Sequence, residues 1–230
     1  MMSKFTHATK NVLRRIPVLW IHKQYMHTKT MLTQHHQHRK YIAAFVCSKG
    51  QPIPSLDLKN HLIVKEYADR FNLRVFVETG THLGVTVNAV KDVFDRIYSI
   101  ELDPCFYKYA KSQFAGMNHI RILRGDSGYM LNEVLEHVSR PCLFFLDAHC
   151  SGFNLSTQGK LETAIAGELH QIFGHSIATE HVILIDNAEC FTRGHDWPTV
   201  DQVRGMCESA GFDSFEVKDD VIRILKFRPS

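Results

Sequence analysis

Short apolar runs alternate with helix-like patterns from about residue 75 towards the end of the chain. Continuous apolar runs are typical of strands buried on both faces of a sheet, whereas apolar residues three or four positions apart indicate a helix. The chain is therefore predicted to repeat a strand-helix unit. The five runs predicted to be strands are Val75–Glu78, Ile97–Glu101, Ile120–Leu123, Cys142–Asp147 and His181–Asp186.

The last part of the chain has a different pattern. Two apolar runs, Phe212–Val217 and Val221–Phe227, are separated by only three polar residues, which predicts an antiparallel hairpin at one edge of the sheet. Together with the five strand-helix units, this predicts an α/β fold with a doubly wound, mostly parallel sheet. Such sheets bind ligands at the carboxyl ends of their strands.

Residues 1–54 are predicted to form a basic extension that precedes a folded domain of residues 55–230. No Asp or Glu occurs before Asp57, whereas nine Lys and Arg residues do. After two prolines that end the extension, Ser55 is the expected N-cap of a helix of about four turns. The apolar face of this helix is predicted to consist of Leu58, Leu62, Ile63, Tyr67 and Phe71.

The basic extension has three interpretations. An amphipathic segment without acidic residues can be a mitochondrial presequence, an anchor on an anionic membrane surface, or a solvated basic arm. The sequence leaves all three open, so organelle targeting and peripheral membrane contact both stay hypotheses. No apolar stretch approaches the roughly 18 residues that a membrane span needs.

The composition fits one globular domain with an extension. At 230 residues, with 44% hydrophobic and 22% charged residues, the chain is long enough for a single buried α/β core. Its six cysteines form no Cys-x-x-Cys pair, and several fall inside apolar runs. A reducing, cytoplasmic location is therefore expected, and a zinc site is not.

The stretch Val75–Gly84 carries the first indication of a ligand site. Its apolar run ends at Glu78, and a turn with two glycines, Gly80 and Gly84, precedes the next helical pattern. Glycines let the backbone approach a ligand closely, and a helix start offers unpaired N–H groups. The loop matches neither the dinucleotide-binding pattern Gly-x-Gly-x-x-Gly nor the phosphate-binding ending Gly-Lys-Ser/Thr. Taken alone, it is equally compatible with a structural turn.

Acidic residues stand at or just after the ends of all five predicted parallel strands. Because these ends meet along one crevice in a doubly wound sheet, acids far apart in sequence are expected to be neighbours in space. Buried strand ends rarely carry acids that nothing satisfies, although helix capping can account for one or two. Together these acids indicate a binding site, and they are Glu78, Glu101, Asp126, Asp147 and Asp186.

The chain resembles the class I S-adenosylmethionine (SAM)-dependent methyltransferases in four motifs that occur in the family's order. They are Val-Glu-Thr-Gly-Thr-x-x-Gly, Tyr-Ser-Ile-Glu, Gly-Asp-Ser and Phe-Leu-Asp-Ala-His, and the likeness covers residues 58 to 227. A bacterial subgroup of the family has a similar Asp-Ala/Gly-His-x-Ser-Gly loop. The resemblance implies a Rossmann-like, seven-stranded sheet of order 3-2-1-4-5-7-6 and SAM as the cofactor.

The resemblance also assigns parts of the cofactor to particular residues. The loop from Glu78 to Gly84 would line the methionine end, and Glu101 would accept hydrogen bonds from both ribose hydroxyls through its two oxygens. Asp126 would lie at the adenine edge, or would be the N-cap of the next helix, and the two roles are compatible. The full set expected to bind the cofactor is Glu78, Thr79, Gly80, Thr81, Gly84, Glu101, Asp126, Ser127 and Asp147.

The acceptor side resembles the catechol-type, magnesium-dependent O-methyltransferases. Asp147, Asp186 and Asn187 stand where that family has its metal ligands, and such oxygen ligands suit Mg²⁺. The family has a lysine three residues after its first ligand, whereas this chain has Cys150. In a second, metal-independent hypothesis, His149 removes the acceptor proton, and Asp147 is the other expected catalytic residue. His149 is equally compatible with a structural role in its own loop.

The favoured function is methylation of a small-molecule hydroxyl, on a sugar or a phenol. Nucleic acid is not the expected substrate, because enzymes that methylate its amino groups usually carry Asn/Asp-Pro-Pro-Tyr/Phe where this chain has Asp-Ala-His-Cys. Two alternatives stay open. One is a regulatory module that binds SAM without turnover. The other is a nicotinamide-dependent oxidoreductase of the same general architecture, which the two-glycine loop disfavours.

Overall fold

The computed structural model describes residues 58–147, 164–192 and 197–226. Its strands are β1 (Val75–Thr79), β2 (Arg96–Glu101), β3 (Ile120–Arg124), β4 (Leu143–Asp147), β5 (Val182–Asp186), β6 (Ser214–Lys218) and β7 (Val221–Leu225). They form a seven-stranded sheet of order β3-β2-β1-β4-β5-β7-β6. Strands β1 to β5 are parallel, whereas β7 pairs antiparallel with β5 and β6. The predicted α/β fold, strand order and C-terminal hairpin are confirmed.

Six helices lie between or before the strands of the described chain. They are α1 (Leu58–Arg70), α2 (Val85–Val90), α3 (Pro104–Gln113), α4 (Ser127–Leu135), α5 (Ala164–Phe173) and α6 (Val200–Ser209). Each corresponds to a helical pattern predicted from the sequence. The chain therefore returns through a helix after each of the first four strands, as a parallel sheet requires.

Side-chain caps fix where α3 and α6 begin. Asp103 accepts hydrogen bonds from two backbone N–H groups in the first turn of α3, which starts with Pro104. Thr199 caps α6 in a capping box with Gln202. The cap before α3 matters for the site, because it turns the chain into a helix directly after the acid that ends β2.

The sheet is apolar on both faces, as its continuous apolar runs predicted. Alternate residues of β4 pack into different clusters, with Phe144 and Leu146 on one face and Leu143 and Phe145 on the other. All residues of β1 are buried. The ends of the strands are thereby anchored in the core. The backbone positions of the residues that follow them are therefore fixed.

One residue on the predicted apolar face of α1 was assigned wrongly. Leu62 is 60% exposed. From residue 60 onward, where the side chains of this helix are described, the buried residues are Ile63, Val64, Tyr67 and Ala68, which pack in the same cluster as one face of the sheet. Their spacing of three and four residues defines a stripe that Leu62 does not belong to.

Several predictions concern residues outside the described ranges. These are the basic extension of residues 1–54, the domain boundary at residue 55, and the loop after β4 that contains His149 and Cys150. They stay predictions. Of the helices within the described ranges, none is both long enough and apolar enough to cross a membrane.

Candidate functional site

The acids that end the parallel strands lie along one edge of the sheet. Asp147 and Asp186 are register partners on neighbouring strands. The charges of Asp147 and Glu101 both raise the pKa of Glu78, after the larger effect of burial. Asp126 follows β3, which pairs with the strand that Glu101 ends. The structure therefore brings these five acids together, and we call them the acidic rim.

The loop after β1 approaches the acidic rim closely because of its glycines. Gly80 and Gly84 have φ angles of +85° and +68°, in the left-handed region that favours glycine. A Cβ atom on Gly80 would lie 3.2 Å from the Cβ of Asp147, which is tighter than ordinary contact. The N–H groups of Gly80 and Thr81 donate to the carbonyl of Ile100 at 2.9 and 3.2 Å. These bonds hold the loop against β2.

Glu101 is fixed in one orientation by the backbone. Its Oε2 accepts a hydrogen bond from the N–H of His82 at 2.6 Å, and its Oε1 accepts one from the N–H of Asp103 at 2.7 Å. Burial raises the pKa of Glu101, and these two bonds lower it. A carboxylate oxygen has more than one acceptor position, so each oxygen can also accept a hydrogen bond from a ligand.

Glu78 ends a chain of buried hydrogen bonds. The hydroxyl oxygens of Thr81 and Ser99 are 2.6 Å apart, and Ser99 donates to Oε2 of Glu78 at 2.6 Å. Because Ser99 uses its proton for Glu78, the Thr81 hydroxyl donates to Ser99. Burial is the main cause that raises the pKa of Glu78 to about 8.

Ser99 was missed by the sequence analysis. It stands in the run Ile-Tyr-Ser-Ile-Glu and is completely buried. A small polar residue inside an apolar strand needs a hydrogen-bond partner in the core. That requirement was the signal that could have identified Ser99.

Asp126 is the N-cap of α4, which confirms one of its two predicted roles. Its Oδ1 accepts a hydrogen bond from the N–H of Gly128 at 2.9 Å. Ser127 is the first residue of the helix. The adenine contact of Asp126 and Ser127 stays a prediction, and the cap places Ser127 next to the acidic rim.

Glu168 joins the acidic rim from α5 and was not predicted. Its side chain is only 4% exposed. Burial is the main cause that raises the pKa of Glu168 to about 7, the nearby hydroxyls of Ser127 and Thr79 lower it, and the charges of Asp126 and Asp147 add to the rise. The hydroxyl of Thr79 lies near this carboxyl without the geometry of a full hydrogen bond. The sequence signal that could have identified Glu168 is the presence of a glutamate among the apolar residues of α5.

Two asparagines contact the acids at the ends of β4 and β5. Nδ2 of Asn187 donates to Oδ1 of Asp147 at 3.2 Å, and Nδ2 of Asn60 on α1 donates to Oδ2 of Asp186 at 2.8 Å. Burial is the largest cause that raises the pKa of Asp186, and the charge of Asp147 adds to it. Asn60 was missed, because it precedes Asp186 by 126 residues and belongs to no motif.

The chain matches no protein-family model and no curated protein, but many solved structures share its fold. A SAH-bound methyltransferase from Podospora anserina is 15% identical, with a TM-score of 0.56 and 99% of each chain covered. The O-methyltransferase TomG from Streptomyces achromogenes, in complex with SAM, is 16% identical, with a TM-score of 0.54, covering 83% of this chain and 89% of TomG. An O-methyltransferase from Bacillus cereus, in complex with SAH, is 14% identical, with a TM-score of 0.52 and coverages of 83% and 91%.

The chain has the class I methyltransferase fold. The likeness in fold that the motifs implied is thus confirmed. At these sequence identities the matches show only that the fold is shared. The roles of individual residues depend on the geometry of the acidic rim itself.

The acidic rim of this methyltransferase fold fits the chemistry of SAM. Because Gly80 has no Cβ atom, the side chain of Asp147 lies directly against the backbone of the loop after β1. Glu101 offers two fixed acceptor oxygens, as the two hydroxyls of a ribose require. The concentration of carboxyl groups suits a ligand that carries a sulfonium and an ammonium charge. The specific cofactor contacts of these residues stay predictions.

The donor set at the ends of β4 and β5 fits a hard cation. Asp147, Asp186 and Asn187 bring two carboxylates and an amide to one place, and Mg²⁺ usually keeps several waters beside a few such ligands. Among residues 58–147, 164–192 and 197–226, no three or more His, Cys, Asp and Glu side chains form a metal-binding group. An ion here would therefore depend on Asn187 and water, and magnesium stays a prediction.

Proposed function

We propose that the protein is a SAM-dependent methyltransferase that methylates a hydroxyl of a small molecule, such as a sugar or a phenol. The observation that carries the proposal is the placement of Glu78, Glu101 and Asp126 on one rim, beside the loop that starts at Gly80. The fold supports it, since solved O-methyltransferases with SAM or SAH bound share this fold.

Glu101 is suited to hold the ribose of the cofactor. Backbone N–H groups of His82 and Asp103 already fix both of its oxygens. The carboxylate therefore does not have to reorganise when two ligand hydroxyls donate to it, which favours tight binding. The same contacts tie the ribose position to the loop after β1, where the methionine end is expected.

The transfer step requires a base for the acceptor hydroxyl. SAM supplies the methyl group when it is bound. Its sulfur would keep the electron pair of the bond to the transferred methyl carbon, and the part of this chain would be to take the hydroxyl proton on a base. In the proposal, His149 takes this proton as a neutral imidazole, and Asp147, at the end of β4, helps to orient the acceptor.

A metal-assisted form of this mechanism would use the ends of β4 and β5. Asp147, Asp186 and Asn187 would hold Mg²⁺, which, when bound, lowers the pKa of an acceptor hydroxyl. We then expect EDTA to suppress methyl transfer and Mg²⁺ to restore it. Full activity in EDTA would contradict this form and leave His149 as the group that activates the acceptor.

Two measurements test the proposed function. Calorimetry and the melting temperature should show that SAM binds and stabilises the protein, whereas NADH does neither. SAM labelled in its methyl group should then yield labelled product from a panel of sugars and phenols. Binding of NADH in place of SAM would contradict the cofactor. Tight SAM binding without product from any acceptor would favour the regulatory module.

A further inference from the structure

His82, in the loop after β1, has a backbone conformation that residues other than glycine rarely adopt. It is the second residue of a turn that the N–H of Gly84 closes by donating to the carbonyl of Thr81 at 2.7 Å. Its φ angle of +48° lies in the left-handed region, where a turn usually has glycine at this position. Such a conformation costs free energy and persists only where the surrounding contacts hold it.

Two contacts hold His82 in this conformation, one from its backbone and one from its ring. The backbone N–H donates to Oε2 of Glu101 at 2.6 Å. The imidazole ring packs against the ring of Phe106, with 4.4 Å between the ring centroids and an angle of 60° between the ring planes. Tilted ring pairs at about this separation attract each other. Phe106 is buried in α3, so it provides a fixed surface for the imidazole.

Phe106 lies in the segment that holds the other oxygen of Glu101. The N–H of Asp103 donates to Oε1 of Glu101 at 2.7 Å. The side chain of Asp103 accepts a hydrogen bond from the N–H of Phe106 at 3.1 Å. The two N–H groups that fix Glu101 therefore come from two segments, the turn after β1 and the start of α3. The contact between His82 and Phe106 joins these two segments directly.

The same turn also passes close to the other end of α3. A Cβ atom on Gly84 would lie 2.8 Å from a ring carbon of Phe114, which directly follows α3. Glycine is therefore needed at Gly84 for close approach. At His82, glycine would allow the same φ angle with less strain, so the turn alone does not explain why this position carries a ring. The packing of the ring on Phe106 does explain it.

We infer that His82 is a positioning residue of the cofactor site, whose ring, packed on Phe106, keeps the turn after β1 in the conformation that directs its N–H at Glu101. This inference rests on the proposed function, in which Glu101 binds the ribose of SAM. His82 acts through Glu101 and does not touch the reacting atoms. A carboxylate that is already oriented in the free protein avoids the cost of ordering it when SAM binds.

Replacing His82 by asparagine separates positioning from a purely structural role. Asparagine tolerates a positive φ, so His82→Asn keeps the turn and removes the ring. Calorimetry should show SAM binding about fivefold weaker or more, because the N–H of residue 82 no longer holds Glu101 in place. The melting temperature of the free protein should change by less than about 3 °C. A purely structural residue would give the opposite pattern, with a lower melting temperature and an unchanged affinity.

Two further variants test the ring contact itself. His82→Tyr keeps a ring on Phe106, so its SAM affinity should stay within about threefold of wild type. Phe106→Leu removes the other ring and should weaken SAM binding. Adding His82→Asn to Phe106→Leu should then weaken binding by no more than about twofold further, because the contact is already lost. If Phe106→Leu does not fold, the comparison of His82→Asn with His82→Tyr still decides.

The matched control is a ring pair at another place in the fold. Phe173, the last residue of α5, forms a tilted pair with Phe212, with 5.3 Å between the ring centroids. Phe173→Leu removes a comparable contact, so it should lower the melting temperature. Its SAM affinity should change by less than about twofold, because this pair is not joined to Glu101.

The outcomes that overturn the inference are distinct. A His82→Asn protein that binds SAM like wild type, melts more than about 3 °C below it, or does not fold contradicts the positioning role. A His82→Tyr protein as weak as His82→Asn, or a folded Phe106→Leu protein that binds like wild type, contradicts the role of the ring contact. In these cases wild type still binds SAM, and only the role of His82 is wrong. If wild type does not bind SAM, the proposed function is wrong and this inference falls with it.

Discussion

The two halves of the acidic rim are held by different kinds of partner. In the cofactor half, which is Glu78, Glu101 and Asp126, the partners lie on the same or the adjacent strand or in the turns that follow them. In the acceptor half, which is Asp147 and Asp186 with Asn187 beside them, the best-defined partner is Asn60 on α1, 126 residues before the acid that it contacts. The first half is therefore fixed locally, and the second depends on how distant elements pack.

This difference suits a site in which one half binds the cofactor and the other half binds the acceptor. Backbone N–H groups, which hold Glu101, cannot be replaced without rebuilding the loop, whereas the amide of Asn60 belongs to one side chain. A site for a constant cofactor can be fixed in the backbone. A site that must match a particular acceptor is more easily altered when its contacts are single side chains.

The largest effect is expected in the cofactor half. Glu101→Ala should weaken SAM binding about 100-fold or more, because each charge-assisted hydrogen bond contributes roughly 1.5–3 kcal/mol. Calorimetry measures the affinity, and circular dichroism should show an unchanged fold. Glu133→Ala, on the exposed face of α4, is the control and should bind normally. Unchanged affinity in the Glu101 variant would refute the ribose contact.

A second prediction concerns the buried hydroxyl of Ser99, which donates a hydrogen bond to Glu78 of the cofactor half. Ser99→Ala should lower the free energy of unfolding by about 1–3 kcal/mol, because Glu78 and Thr81 lose a buried partner. Urea unfolding measures this change. Ser112, whose exposed hydroxyl donates to the carbonyl of Tyr109, provides the comparison, and Ser112→Ala should cost less than about 0.5 kcal/mol. Equal losses of unfolding free energy in the two variants would mean that the hydrogen bonds of Ser99 to Glu78 and Thr81 do not stabilise the fold specifically.

A third prediction tests whether the halves act independently. Asn60→Ala should reduce the rate of methyl transfer about tenfold, because Asp186 loses the hydrogen bond that orients it. The dissociation constant for SAM should stay within about twofold of wild type. Kinetics at saturating SAM, together with calorimetry, separates the two quantities. A parallel loss of cofactor affinity would contradict the division between the halves.

The fold could be predicted closely because its signals are local. Apolar runs such as Cys142–Asp147 and His181–Asp186 marked the strands, and the observed β4 and β5 each start one residue later. A specific contact accompanies this shift. The N–H of Cys142 donates to Nδ1 of His181, so the first residue of each predicted strand is engaged in a side-chain contact.

The site could be predicted only where topology alone brings residues together. Acids at the ends of parallel strands must share an edge, so Glu78 and Glu101 were found. Glu168 and Asn60 reach the acidic rim from helices, and which face of a helix meets the rim depends on packing that a sequence pattern does not specify. The wrong assignment of Leu62 to the core has the same cause.

A fourth effect is expected at the other end of β4 and β5, away from the acidic rim. His181 is buried, and its Nδ1 accepts a hydrogen bond from the N–H of Cys142 at 3.1 Å. The neutral ring must therefore carry its proton on Nε2, which donates to Nδ1 of His175 at 2.9 Å. Burial and, secondarily, His175 lower the pKa of His181 from 6.5 to about 4.

This contact predicts a specific sensitivity to acid. The unfolded chain takes up the proton of His181 near pH 6.5 and the folded chain only near pH 4, so stability is complete above pH 6.5 and is lost as the pH falls through this interval. One such group changes the free energy of unfolding by at most about 1.4 kcal/mol per pH unit. Urea unfolding between pH 7 and pH 4.5 should show a shallower fall for His181→Gln, whose amide oxygen can accept from Cys142 without titrating. The exposed His137→Gln should follow wild type. A His181→Gln curve as steep as wild type would assign the acid sensitivity to groups other than His181.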